Sequence, residues 1–312
     1  MTAPGGLAQL FAGLLVHLAV AFLLPPLLLG VIQRTKARMA GRRGPPLLQP
    51  YYDLAKLFRK GVVLSRTTTW VFRAGPAVGI ASAALASLLV PFGEHAAPVA
   101  FAGDLVLYAY LFGLGRFFLI AAALDTGSSF EGMGGAREAT FSALAEPALF
   151  LALLVLVSLR GSLSLTGLVG EGTHVLWLTA VAPMALVSVS LFVVLLAENS
   201  RIPFDDPNTH LELTMVHEVM VLDHSGPLLG AALLASAQKL FVQGALLARI
   251  VVPLPEGPPL ARWALFVAAM LMLAVVIGLV ESSMARLRLR QVPMLLVAAS
   301  LLSAFGLVLV VR

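Results

Sequence analysis

The sequence predicts an all-α polytopic membrane protein, with about eight transmembrane helices and a cytoplasmic amphipathic helix, built as a single integral membrane domain over residues 1–312. Three observations carry this expectation. Hydrophobic residues make up 59% of the 312 and charged residues only 12%, with a mean hydropathy of +0.95; a soluble core needs far less apolar surface. Apolar runs long enough to cross about 30 Å of hydrocarbon recur along the chain. Most of the cationic residues fall beside those runs, so the net charge of +5 reads as membrane topology and not as a nucleic-acid surface.

The runs lie near 7–32, 71–92, 99–124, 139–159, 175–198, 226–252, 262–282 and 291–311. The first exceeds the apolar region of a signal peptide, has no cationic residue before it and is followed at once by a basic loop. It is therefore expected to be a retained span. Pro25, Pro26, Pro147, Pro183 and Pro293 fall within or at the starts of spans, where neighbouring helices can satisfy a kinked backbone. Small residues at Gly79–Ala84 and Gly230–Ala232 suit close helix packing.

Lys and Arg set the orientation. Ten of them run from Arg34 to Arg73, nine between the first two runs and Arg73 at the start of the second; Arg137 follows the third, Arg201 the fifth, and Arg286, Arg288 and Arg290 the seventh. The positive-inside rule then makes the loops at about 33–70, 125–138, 199–225 and 283–290 cytoplasmic and puts both termini on the outer side of a bacterial or archaeal cytoplasmic membrane. Within the first loop, Leu47, Tyr51, Leu54 and Phe58 share one helical face and Asp53, Lys56 and Lys60 the other. Such a helix is a membrane-surface anchor or a ledge for a soluble subunit. With no cysteine in the chain, thiolate-held clusters and disulfides are excluded; any electrons pass through another subunit.

The most polar segment is 198–227, which collects Glu198, Arg201, Asp205, Asp206, Glu212, Glu218 and Asp223 with His210, His217 and His224. Pro203 and Pro207 forbid a continuous helix, Asp205-Asp206-Pro207-Asn208 is turn chemistry, and Thr209 with Glu212 fits a capping box. The expected outcome is an acidic elbow followed by a short amphipathic helix from about His210, with His210, His217, Val221 and His224 along one row. A zinc-protease reading fails because no second His follows His217-Glu218 at helical spacing. A solvated loop and a docking, proton-handling surface both remain. Inside the spans, Arg116, Glu146, Lys239 and Glu281 each need a partner or water. Static pairing is one reading for Arg116; Glu146 and Lys239 together suit a hydrated proton route or electrostatic switch. His17 reads as a hydrogen-bonded helix contact.

Glu198-Asn-Ser-Arg201-Ile-Pro203-Phe204-Asp205 resembles the signature of the NADH dehydrogenase subunit 1 family, the membrane subunit against which the quinone site of complex I is built. Glu212 matches the Glu seven residues past the signature Asp. Gly134-Gly-Ala-Arg137 with Glu146, Arg286-Leu-Arg288-Leu-Arg-Gln291, and Leu47-Leu-Gln-Pro50 with Asp53 and Lys56 resemble further family motifs, in order along nearly the whole chain. The stretch from Asp205 to Pro227 is similar to the branch found in membrane-bound group 4 [NiFe]-hydrogenases and formate hydrogenlyase. Arg290 stands where the family has Asp, and Glu218 is the nearest acid to the quinone branch's Glu-Tyr; these departures count against quinone binding.

The resemblance implies a membrane-anchoring, energy-coupling subunit that is not itself catalytic and holds no cofactor. It implies a NiFe centre and iron–sulfur clusters on partner subunits: hydrogenase large and small subunits, iron–sulfur subunits and antiporter-like membrane subunits. It places Glu146, Glu198, Asp205 and Glu212 on a proton or ion pathway, with Glu218 as the acid nearest the quinone branch's Glu-Tyr, and burial adds Lys239 and Glu281. Arg137, Arg201, Arg286 and Arg288 would shape a docking rim, with Asp206, His210, His217, Asp223 and His224 of the elbow. A quinone-reducing complex I subunit and a stand-alone ion transporter are the alternatives; no evident inverted repeat supports the latter.

Overall fold

A computed structural model describes residues 4–170, 172–205, 215–254 and 257–311. Among the described residues the secondary structure is helical throughout: α1 (Pro4–Met39), α2 (Gln49–Phe58), α3 (Trp70–Ser87), α4 (Asp104–Asp125), α5 (Ser129–Arg160), α6 (Leu165–Leu168), α7 (Thr173–Thr179), α8 (Val181–Glu198), α9 (His217–Met220), α10 (Gly226–Val251), α11 (Pro259–Ser283) and α12 (Val292–Val311). Seven of these, α1, α4, α5, α8, α10, α11 and α12, are long and apolar enough to cross a membrane. The chain is an integral membrane protein.

The eight expected runs and these helices agree in order, with two corrections. The second run becomes α3, which carries Arg73, Gly75, Pro76 and Gly79 and falls outside the set of seven. Its weak apolarity goes with its packing: among the described residues it makes the most extensive helix–helix contact, against α4, and it also touches α10. A Cβ on Gly75 would stand 2.7 Å from the Ala122 Cβ, and one on Gly115 2.5 Å from the Ser82 hydroxyl. Small residues here set the distance between backbones. The fifth run is broken, since Ala180 leaves helical geometry and separates α7 from α8. Pro183 then sits in the first turn of α8, where its missing N–H costs nothing.

Local chemistry fixes the ends of α3 and α4 together. Thr69 caps α3 through its hydroxyl, which accepts from the Val71 N–H. Asp125, the last residue of α4, accepts from the Thr69 N–H (2.6 Å), the Thr69 hydroxyl (2.9 Å) and the Phe72 N–H (3.2 Å). A carboxylate at a helix N-terminus gains from the dipole as well as from the hydrogen bonds.

At the centre stands α10, 72% buried over its most apolar stretch against 22–50% for the other six. It contacts α1, α2, α3, α8 and α11, while α12 packs on α5 and α8. The amphipathic segment of the first loop is α2, as expected. Its Pro50 is buried, Tyr51, Leu54 and Leu57 face inward, and Leu57 and Phe58 lie within about 3.5 Å of where a Gly230 Cβ would be. Leu47 precedes the helix instead of joining its apolar face. The helix is thus seated on α10 and α1.

The elbow differs most from expectation. The segment 206–214, with the expected capping box, Asp206, His210 and Glu212, lies outside the described residues. After it, Met215 and Val216 are non-helical and α9 makes a single turn, so His217, Val221 and His224 do not share one helical row. Tertiary contact holds α9: at Gly134 of α5, a Cβ would stand 2.3 Å from Val219 Cγ1 and 3.0 Å from the Val216 carbonyl. Gly134→Ala is therefore expected to displace α9 at a cost of about 1–3 kcal/mol. A lowered unfolding midpoint in detergent is the readout; an unchanged midpoint would mean that this contact does not hold α9.

Candidate functional site

The charged side chains of the bundle gather in two groups, one on either side of α9. The first is intramembrane. Glu198 ends α8, where the negative end of the helix dipole disfavours a carboxylate, and its side chain is 5% exposed. Two cations from other helices offset that. Arg116 of α4 approaches Glu198 Oε1 at 3.1 Å, and Lys239 of α10 approaches Oε2 at 2.8 Å. Arg116 also reaches Glu146 of α5 at 3.3 Å. Four helices are thus joined through one carboxylate and one guanidinium. Glu146 is the outermost member, with 45% of its side chain exposed on the flank of the bundle, whereas Arg116 is 7% exposed.

The group borders a cavity of about 60 Å³ lined by Arg116, Glu138, Glu198, Asn199, His217 and Lys239 with small residues of α3 and α10. Since one water needs about 10–15 Å³, it has room for a few. Glu138 of α5 is buried in its wall and forms no ion pair among the described residues.

The second group lies toward α1, α2 and α11. Glu281, buried on α11, receives Lys36 of α1 at 2.8 Å and Arg201 of the elbow at 3.4 Å. Asp205 receives Arg286 at 3.0 Å on one oxygen. Its other oxygen accepts the N–H groups of Val216 (2.8 Å) and His217 (3.3 Å), which fixes the start of α9. A cavity of about 210 Å³ opens here, lined by Lys36, Asp53, Arg201, Asp205, Glu218 and Glu281 together with Asn199, His217 and Ser236. By the same measure it has room for many waters.

These contacts sort the residues singled out from the sequence. Glu146, Glu198 and Lys239 come together around Arg116, and Asp205, Glu218 and Glu281 around the larger cavity. Glu212, Asp206 and His210 fall outside the described residues. Among the expected docking residues, three arginines turn inward: Arg137 donates to the Met215 carbonyl at 2.9 Å, Arg201 meets Glu281 and Arg286 meets Asp205. His224 is also internal, stacked on Phe72 at 4.0 Å with Nε2 donating to the Phe72 carbonyl at 3.2 Å. Burial pushes its pKa below the ordinary imidazole value. Asp223 and Arg288 are exposed; the Asp223 N–H donates to the buried Glu131 at 3.0 Å.

Sequence reasoning missed Glu138 and Lys36. Glu138 directly follows Arg137 before an apolar run and reads as the end of a loop, yet α5 begins nine residues earlier and carries it into the bundle. Lys36 is lost among ten basic residues of one stretch; the length of α1, which runs on to Met39, is the signal that it faces α11. His17 is a hydrogen-bonded helix contact, with Nε2 donating to the Ser87 carbonyl at 2.8 Å and the ring stacked on Phe92.

Known proteins resemble this chain in sequence and in fold. The chain is 31% identical over 286 residues to formate hydrogenlyase subunit 4 of Escherichia coli (strain K12), covering 89% of this chain and 92% of that one. Hydrogenase-4 component C of the same organism is also 31% identical, over 281 residues and 87% of each chain. In a solved structure of the membrane-bound sulfane sulfur reductase, an archaeal respiratory membrane complex, one chain superposes with a TM-score of 0.85 over 97% of this chain and 99% of its own, at 21% identity; the fold is shared. The profile of the NADH dehydrogenase family matches residues 12–312, which takes in α4, α5, α8, α10 and α11 and every ion pair described above, and the chain belongs to that family.

Proposed function

We propose that this chain is the membrane-anchoring and energy-coupling subunit of a complex I-like group 4 [NiFe]-hydrogenase of formate hydrogenlyase type. The observation that carries the reading is the pair of buried carboxylate–cation groups, one at the elbow cavity and one reaching the half-exposed Glu146, whose two cavities share Asn199, His217 and Ser236 in their walls. Paired charges inside a membrane span cost free energy that a mere anchor has no need to spend. Membership of the family and the two hydrogenase relatives support the same reading. In this reading the elbow side faces the cytoplasm, both termini lie outside a bacterial or archaeal inner membrane, and peripheral subunits carry the NiFe centre and iron–sulfur clusters. Redox chemistry next to the elbow changes the local charge felt by Asp205, Glu218 and Glu281, and the shift passes through Glu198 and Arg116 to Glu146. The flank at Glu146 hands it to antiporter-like subunits in the membrane.

The test is Glu146→Gln in the assembled complex, in inverted vesicles supplied with dithionite-reduced methyl viologen. Hydrogen evolution is expected to continue while acridine-dye quenching per hydrogen falls by about tenfold or more. Wild-type values of both would remove Glu146 from the route, and a complex that evolves no hydrogen at all in its unmodified form would overturn the hydrogenase reading.

A further inference from the structure

His217 occupies a position that neither charged group explains. The two cavities have three lining residues in common, Asn199, His217 and Ser236, and His217 is the only one of the three that titrates. Asn199 is engaged: its amide donates to the Leu195 carbonyl at 2.8 Å and to Gln243 Oε1 at 2.7 Å. Ser236 can orient water but has no proton to release at neutral pH. The backbone N–H of His217 is held by Asp205, so the ring sits at a fixed point of the wall. Its Nε2 is buried and has no hydrogen-bond partner among the described residues. A buried ring nitrogen left bare between two polar cavities is suited to receive a proton from one side and release it to the other.

We infer that His217 is the proton relay between the two cavities, the one described group through which a proton passes from the elbow side to the Glu198 cluster. This rests on the coupling role proposed above and deepens it. On the larger-cavity side the ring is faced by Glu218 of its own helix, Asp205, Arg201, Glu281, Lys36 and Asp53. On the intramembrane side stand Arg116, Glu138, Glu198 and Lys239. Burial pushes the imidazole below its ordinary pKa, Glu218 and Asp205 oppose that, and Lys239 and Arg201 add to it. The resting ring is neutral, and it charges when the elbow acids gain weight over the two cations. Protonation thus requires an acidic change on the elbow side, and release follows once that change is reversed. Bond changes balance at each step: one N–H forms as one O–H breaks on the elbow side, and the reverse occurs at the Glu198 cavity.

The experiment compares His217→Gln, His217→Ala, Glu146→Gln and Glu198→Gln in the assembled complex in inverted vesicles, supplied with dithionite-reduced methyl viologen. His217→Gln is expected to keep hydrogen evolution but lose dye quenching per hydrogen by about tenfold or more, and to flatten the pH dependence of coupling below about pH 6.5, where the buried ring titrates. In His217→Ala, added imidazole should restore quenching, which a merely structural loss would not allow. If the glutamate variants uncouple while His217→Gln keeps wild-type quenching and pH profile, the relay is wrong and the coupling role stands. If quenching stays at the wild-type level in all four, the coupling role itself falls, and the relay with it.

Discussion

Glu198→Ala is expected to lower the stability of the protein by about 3–5 kcal/mol, because it leaves buried cations without their shared carboxylate. Lys239 loses its partner at 2.8 Å, and Arg116 keeps only the longer contact to Glu146 at 3.3 Å. The side chains are 17% and 7% exposed, so solvent offers little relief. A reduced unfolding midpoint and a reduced yield of assembled protein in mild detergent are the readouts. The sharper comparison is the double variant Glu198→Gln with Lys239→Met, which removes one charge of each sign and leaves Arg116 paired with Glu146. Replacing a buried pair by neutral groups of similar size is often neutral or stabilising. Stability is therefore expected to return toward that of the unmodified protein while coupling stays lost. Recovery of both would make the cluster a packing device, and failure of both would place its worth in stability alone.

How much of this was legible in the chain depends on the length scale of the signal. Spans were readable because twenty consecutive apolar residues have few alternatives in water or lipid. Breaks in that pattern were not: Ala180 carries no helix-breaking chemistry, and Pro183, three residues on, signalled a kink without saying that α7 and α8 would separate there. The weak apolarity of α3 was visible in Arg73, Gly75 and Gly79, yet its meaning came from α4, whose Ala122 and Gly115 face those small residues. Glu198 and Lys239 stood out one at a time as buried charges; that they meet, with Arg116 between Glu198 and Glu146, is a fact about four helices 30 to 123 positions apart in the chain. The elbow fared worst. Its prolines foretold a turn, but the helix expected after it was inferred from spacing alone, and a single turn held by Asp205 and Gly134 has no periodicity to read.

That dependence on tertiary support makes Asp205→Ala the second large effect. Asp205 is 1% exposed and its carboxylate does two jobs at once. It accepts the N–H groups of Val216 and His217, and it meets Arg286 from the segment leading into α12. A hydrogen bond to a charged group contributes about 1.5–3 kcal/mol, and removing the acceptor also leaves buried donors to be satisfied elsewhere. A loss of about 2–4 kcal/mol follows, and it should be partly relieved when Arg286→Gln is combined with it, since the two residues are in contact. A double-variant cycle with an interaction of about 0.5–3 kcal/mol is the expected measure of that contact. Helical content should stay unchanged, because α9 is one short turn among long helices. Coupling should fall with stability, because the start of α9 is what fixes His217 in the wall between the cavities. Asp205→Asn separates the two jobs. It keeps an oxygen for the N–H groups but removes the charge opposite Arg286, so a variant that holds the position of α9 yet still fails to couple would assign the elbow's function to the carboxylate charge and not to its grip on the backbone.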